Sequence, residues 1–306
     1  MSDNYLWDRS GPADPEIEKL ENLLGELRLP SEVVVPRRRT WIPQAIAACL
    51  LAGVALWQAT LVPAPALTAW QTDGRALMAG ETIRTSSKST ALLSADQFGQ
   101  VNLAPSSELS IAESRPGYHH FDLRAGTMHA LIWAPPREFM VDTPSARAID
   151  LGCQYTLSVD SRGHGTLTVE TGWVAFLFKG RESFVPAGAR CLTSRVSGPG
   201  TPYFQDASPS FAEAVTQFDR DQSESALLGV LNHARSRDAL TLWHLMTHVQ
   251  ASQRVAVFDR FAQLVEVPAE VTAQRVLQSD PEAIDLCWDA LGLESTEWWR
   301  GWRRNW

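Results

Sequence analysis

The sequence predicts an α+β membrane protein in several parts: one transmembrane helix, an all-β outer domain and a small C-terminal helical bundle. Three observations predict it. An uncharged run from Ile42 to Val62 is long enough to cross a bilayer as a helix. Residues 79–196 alternate apolar and polar side chains in short stretches broken by Gly, Pro and Asp. Residues 211–306 carry apolar residues at helical spacing. The expected divisions are an inner helical segment (1–39), the membrane helix (40–63), a linker (64–78), the β domain (79–196), a second linker (197–210) and the helical domain (211–306). The chain has 306 residues, 20% of them charged and 44% hydrophobic, which suits two or three modest folded domains and argues against wholesale disorder. A net charge of −8 supplies no basic field for phosphates, so nucleic acid is not an expected partner.

In the inner segment, residues 14–28 read DPEIEKLENLLGELR. Asp14 can cap a helix whose first position is Pro15, and Glu16 and Glu18 suit its positive end. Ile17, Leu20, Leu23, Leu24 and Leu27 then form one apolar stripe, with Leu6 and Trp7 just upstream. A segment this short has too little core to bury the stripe itself. A groove on a cytoplasmic partner, self-pairing or the membrane surface could cover it. The acidic opposite face makes an anionic membrane a poor host, which favours a protein partner.

The run IPQAIAACLLAGVALWQATLV is 21 residues long, about 31 Å as a helix and close to the hydrocarbon thickness of a bilayer. Arg37, Arg38 and Arg39 precede it, and basic flanks stay on the cytoplasmic side. The expected location is therefore the inner membrane, single-pass, with membrane lipid around the helix, the N-terminus cytoplasmic and the C-terminus periplasmic. Two alternatives compete. A buried core helix seldom runs this far without a charge. A cleaved signal peptide would use Ala64-Pro65-Ala66, but the preceding segment is long and acidic rather than short and basic.

In the β region, Asp96 and Gly99 mark a turn, and Ser161 to Gly165 read as a hairpin loop between YTLSVD and TLTVE. The spacing of strands suits a sandwich or a compact solenoid-like stack. Of four cysteines, Cys49 lies in the apolar run. Cys153 and Cys191 share the outer domain, and either a disulfide between them or two buried thiols is compatible with the sequence. Cys287 falls in a helical segment and is expected to be buried. No Cys or His spacing suggests a metal site, and no cofactor is expected.

Several stretches of this region are similar to the FecR family of inner-membrane sensors and anti-sigma regulators. Gly80-Glu81-Thr82-Ile83-Arg84-Thr85, Ala91-Leu92-Leu93 and Val101-Asn102-Leu103-Ala104-Pro105-Ser106-Ser107-Glu108-Leu109 are followed, in the family's order, by Phe121-Asp122-Leu123-Arg124-Ala125-Gly126 and Phe139-Met140-Val141-Asp142-Thr143-Pro144. The resemblance implies a β-rich periplasmic domain that senses a ligand or protein, and a short inner segment that binds an extracytoplasmic-function sigma factor. The chain departs from the pattern twice. Gly152-Cys153-Gln154-Tyr155 stands where members commonly read Gly-Thr before Phe, and a helical tail replaces the small mixed segment through which better-known members meet an outer-membrane transporter.

In the tail, Asp238, Ser252 and Asp280 are plausible helix caps. His244 and His248 stand at zinc-ligand spacing, but Leu245 occupies the place of a metalloprotease glutamate, so they read as polar edge residues of a packed helix. His119-His120 reads as a solvated turn. The final WWRGWRRNW either docks on a partner or headgroups, or completes the bundle core with Trp298, Trp299 and Trp302. No nucleophile elbow, phosphate loop or HExxH motif occurs, so no catalytic residues are expected and the chain is not read as an enzyme. Signal transduction across the membrane is the leading expectation. An anchored envelope scaffold or binding protein without anti-sigma activity is the rival.

Overall fold

The computed structural model describes residues 70–293, together with Lys19. The chain divides into two compact units, Met1–Pro63 and Ala64–Trp306, and the architecture below is that of the second. Among the described residues no helix is long and apolar enough to cross a membrane; the stretch expected to do so lies outside them.

Period-two alternation builds a β domain of two layers. One layer contains β1 (Gln71–Thr72), β2 (Arg75–Ala76), β4 (Ala91–Ala95), β5 (Gly99–Leu103), β10 (Gln154–Val159), β11 (Gly165–Thr171), β14 (Ala189–Ser194), β15 (Gly198–Pro199) and β16 (Tyr203–Phe204). The other contains β3 (Thr82–Arg84), β6 (Glu108–Arg115), β8 (Phe139–Asp142), β9 (Arg147–Asp150), β12 (Trp173–Phe178) and β13 (Arg181–Pro186). The long strand β7 (Tyr118–Ile132) belongs to both. Its first half pairs with β6 and β8, its second with β5 and β10. The β7–β8 pair is parallel because the chain leaves β7 in one layer and returns to the other.

Gly126 makes the change of layer possible. Its φ is +93°, a region L side chains rarely adopt, and a Cβ there would collide with Ser107. The Ser107 hydroxyl takes over at the bend, accepting from Thr127 N at 2.9 Å and donating to Thr127 O at 3.2 Å. The Phe-Asp-Leu-Arg-Ala-Gly stretch singled out in the sequence is thus the first half of β7 and its hinge.

The two layers close on an aromatic cluster. Trp70 and Phe98 from one side meet Phe121 and Phe139 from the other, with ring centroids 5.0 Å apart for Trp70–Phe121 and 6.1 Å for Phe98–Phe139. Trp70 is fully buried, so the folded β domain reaches back into the stretch 64–78 expected as linker. The second expected linker is also structured. Thr201 to Phe204 are buried, and β15 and β16 both pair with β14. The hairpin at Ser161–Gly165 forms between β10 and β11, with Leu157 opposite Leu167. Asp160 Oδ1 organises the turn by accepting from Arg162 N and His164 N, both at 2.8 Å.

The tail contains helices α1 (Pro209–Asp221), α2 (Glu224–His233), α3 (Ala239–His248), α4 (Ala251–Leu264), α5 (Ala273–Leu277) and α6 (Pro281–Ala290) among the described residues. Ser208 and Asp280 cap α1 and α6, each followed by Pro at the first turn. Two other expected caps differ. Gln250, not Ser252, begins α4 through a reciprocal pairing with Gln253, and the Asp238 side chain turns back to bond Arg235 instead of capping α3. Ala239 to Met246 are buried all round, the pattern of a central helix.

Candidate functional site

The residues expected to bind an inner partner (Leu6, Trp7, Ile17, Leu20, Leu23, Leu24, Leu27) and those expected to set topology (Arg37, Arg38, Arg39) lie outside the described residues. So do Trp298, Trp299 and Trp302. What can be built is the outer domain, where the buried polar groups fall in three places.

The first is the strand-end loop before β10. Cys153 and Cys191 are both free thiols, which corrects the possible disulfide. Strand β11 separates them. Cys191 sits opposite Leu167 in β11, whereas Cys153 precedes the pairing of Gln154 with Thr171 at the far end of that strand. Two strand spacings alone amount to about 9.6 Å, and an offset of four residues along the strand adds about 13 Å. A disulfide needs Cα atoms within roughly 4.4–6.8 Å. Instead the Cys153 thiol donates to Asp150 Oδ2 at 2.5 Å, while Asp150 Oδ1 accepts from Gly152 N at 2.7 Å. Burial pushes the Asp150 carboxyl up to about 7, against the pull of these two donors. Burial also raises the Cys153 thiol, aided by the neighbouring carboxylate. The Gly-Cys departure from the family pattern is therefore a buried thiol–carboxyl pair. Cys191 donates to Gly200 O at 3.3 Å, and Cys287 is buried in α6 as expected.

The second place is His119. The expected solvated turn is wrong: His119 and His120 are consecutive residues of β7, and alternation sends His119 into the aromatic cluster, 4.2 Å from the Phe98 ring centroid. Its Nδ1 meets the Ser114 hydroxyl at 2.9 Å, and burial lowers its pKa to about 4.

The third is the junction of sandwich and helices. Asp219 of α1 accepts from Thr201 N at 2.6 Å, from the Thr201 hydroxyl at 2.7 Å and from Arg181 Nη2 at 3.3 Å. Burial still raises its carboxyl above the ordinary value, opposed by those partners. His244 of α3 donates from Nδ1 to Leu240 O at 2.9 Å and accepts at Nε2 from Phe184 N at 3.0 Å. That pairing fixes the neutral tautomer, and burial lowers its pKa to about 3. Thr241 donates to Pro202 O at 2.8 Å, and Trp243 Nε1 to Ile284 O at 2.9 Å. His244 is thus the pin of the junction, not an edge residue. Among the described residues no group of three or more His, Cys, Asp or Glu could hold a metal ion. Sequence reasoning missed this junction because Gly198-Pro199-Gly200-Thr201 carries no strand periodicity, and its role depends on residues far away in the chain.

Fold and buried groups define a two-layer β domain with a helical tail fastened to it. Residues 81–175 match the family model described as FecR protein, so the chain carries a FecR domain. The match ends inside β12, while the layers continue to β16. Two crystal structures of a candidate anti-sigma factor from Parabacteroides distasonis are similar to the chain at 13% and 14% identity, with TM-scores of 0.35 and 0.36. Each likeness covers 45% of this chain; the chain spans 65% and 63% of the length of those two chains. No curated protein matches.

Proposed function

We propose that the chain is a single-pass inner-membrane regulator of the FecR type, with no chemical step of its own. Residues 1–39 hold an extracytoplasmic-function sigma factor, the run from Ile42 to Val62 crosses the membrane, and the outer domain responds to a periplasmic ligand or protein. The observation that carries this reading is order along the chain: an apolar stripe, three arginines, an uncharged run and then a FecR domain at 81–175. The stripe of Ile17, Leu20, Leu23, Leu24 and Leu27 seated in a groove of the sigma factor blocks its docking on polymerase. The signal acts by its different affinity for the holding and releasing states.

Affinity capture tests the proposal. The double variant Leu20→Asp/Leu24→Asp removes two leucines that the proposed groove would bury, at about 1.5 kcal/mol or more each, so capture of a sigma factor should weaken about a hundredfold or more while membrane insertion stays intact. Unchanged capture would remove the inner helix from the mechanism. An amino-terminal reporter that behaves as exported would overturn the topology.

A further inference from the structure

The large apolar side chains left open to solvent among the described residues are not scattered evenly. Leu92, Leu131 and Trp133, exposed at 53%, 42% and 49%, belong to one face of the layer containing β4, β5, β10 and β11. His129, Leu131 and Trp133 follow the alternation of β7 and its continuation, so all three point away from the core. Register sets polar side chains between the apolar ones. Leu92 lies opposite Asn102, Asn102 opposite His129 and His129 opposite Thr156; in the next row Gln100 lies opposite Leu131 and Leu131 opposite Gln154. A groove of about 310 Å³ opens over these rows with Glu170 in its lining, and Trp133 lies outside that lining, farther along the same face. That is the lower end of the volume range of small-ligand sites, about 300–1,000 Å³.

We propose that this face binds a neutral oligosaccharide. Trp133 and Leu131 would carry the apolar C–H faces of the sugar rings, and Gln100, Asn102 and Gln154 would pair with the hydroxyls. Chemical complementarity selects the occupant. No hydrogen bond joins the side-chain amides of Gln100, Asn102 or Gln154 to another described residue, so each offers a donor pair and an acceptor to a ligand. A carboxylate is already held in place. His129 Nδ1 meets the Thr156 hydroxyl at 2.8 Å, and that hydroxyl donates to Glu170 Oε1 at 3.3 Å. The lining residues include no Lys or Arg, and their carboxylate repels phosphate, sulfate and acidic sugars. An added peptide strand is also unsuited, because β5, β7 and β10 are paired on both sides and have no free backbone edge. Indole and leucine beside amides and one carboxylate match a ligand whose rings are apolar on their faces and hydroxylated at their rims.

The binding claim goes beyond the regulatory proposal and is read without a sigma factor, so either can fail alone. The full chain in lipid nanodiscs is titrated calorimetrically with chitotetraose and with cellotetraose. At least one should bind with a millimolar or tighter Kd. Trp133→Ala and Asn102→Ala should each weaken that binding at least tenfold with thermal midpoints unchanged, and Leu228→Ala, exposed on α2, should leave it as it was. Absence of heat from both sugars, binding indifferent to Trp133 and Asn102, or displacement of the sugar by dextran sulfate would overturn the proposal.

Discussion

The interior of the β layers and their junction with the helices are both buried, yet they are held in different ways. Between the layers, Trp70, Phe98, Phe121 and Phe139 pack ring against ring, and burial of apolar surface carries the contact with little demand on direction. At the junction, apolar packing of Trp173, Trp243 and Trp288 is accompanied by directed bonds from Asp219, Thr241 and His244. A buried hydrogen bond adds only about 1 kcal/mol when made but costs about 1–3 kcal/mol when one partner is removed. The layers thus tolerate adjustment of their packing, whereas the junction specifies one seating of the helices. Under the regulatory proposal, an interface of that second kind is the better candidate for a contact with two discrete states.

The largest effect should come from the bend of β7, where backbone conformation and close packing leave no room for a side chain. Gly126→Val adds a β-branched side chain at φ +93° and drives it into Ser107, whose hydroxyl bridges the bend. Strain and collision together should cost on the order of 4 kcal/mol or more. The expected outcome is loss of the cooperative thermal transition for the whole β domain. A variant that melts within a few degrees of the parent would show that β7 can change layers without this hinge.

A second effect, at most about 1.4 kcal/mol at each pH unit, separates a buried acid from the buried histidines. Folded Asp150 keeps its proton up to about pH 7, while the unfolded chain loses it near the ordinary value of 3.8. Between those values the folded state binds the extra proton, so this group makes stability fall as pH rises, by about 1.4 kcal/mol per pH unit at most. His119, His244 and His248 act in the other direction. Their folded pKa values, about 4, 3 and 4, lie below the ordinary 6.5, so their contribution is lost as pH falls from 6.5 toward those values. Asp150→Asn keeps an acceptor for Gly152 N but sets an NH2 group against the Cys153 thiol, a loss that shifts the whole curve without changing its dependence on pH. Its stability relative to the parent should therefore rise steadily from pH 4 to 7 and level off above. Denaturant melts across that range measure the difference, and a flat difference would mean Asp150 is ionised in the fold.

Much of the β domain was legible in the sequence. Alternation and turn residues locate the β10–β11 hairpin, and Asp280-Pro281 announces α6, because these signals are local. The family resemblance led to the FecR domain in the same way, through short ordered stretches that turn out to be strands or their bends. What was illegible is what only tertiary contact decides. Strands of two residues, such as Gly198–Pro199, have no period to read. His119 shares the period-two face of Phe121 and Leu123, a local signal that the reading of His119-His120 as a turn passed over, whereas the partner of His244, Phe184, comes from a strand far away in the chain. Cys153 and Cys191 looked compatible with a bridge until pairing placed β11 between them.

The smallest of these effects belongs to the junction and tests whether it can be loosened alone. His244→Leu keeps the volume of α3's buried face but removes the Nε2 acceptor that Phe184 N meets at 3.0 Å, at a cost of about 2 kcal/mol. That loss falls on the seating of the helices, since β12 and β13 keep their own ladder. Limited proteolysis should therefore cut the tail earlier than in the parent while the β domain resists as before. Loss of both parts at the same rate would mean that the two regions unfold as a single unit, and the contrast drawn between them would not extend to their dynamics.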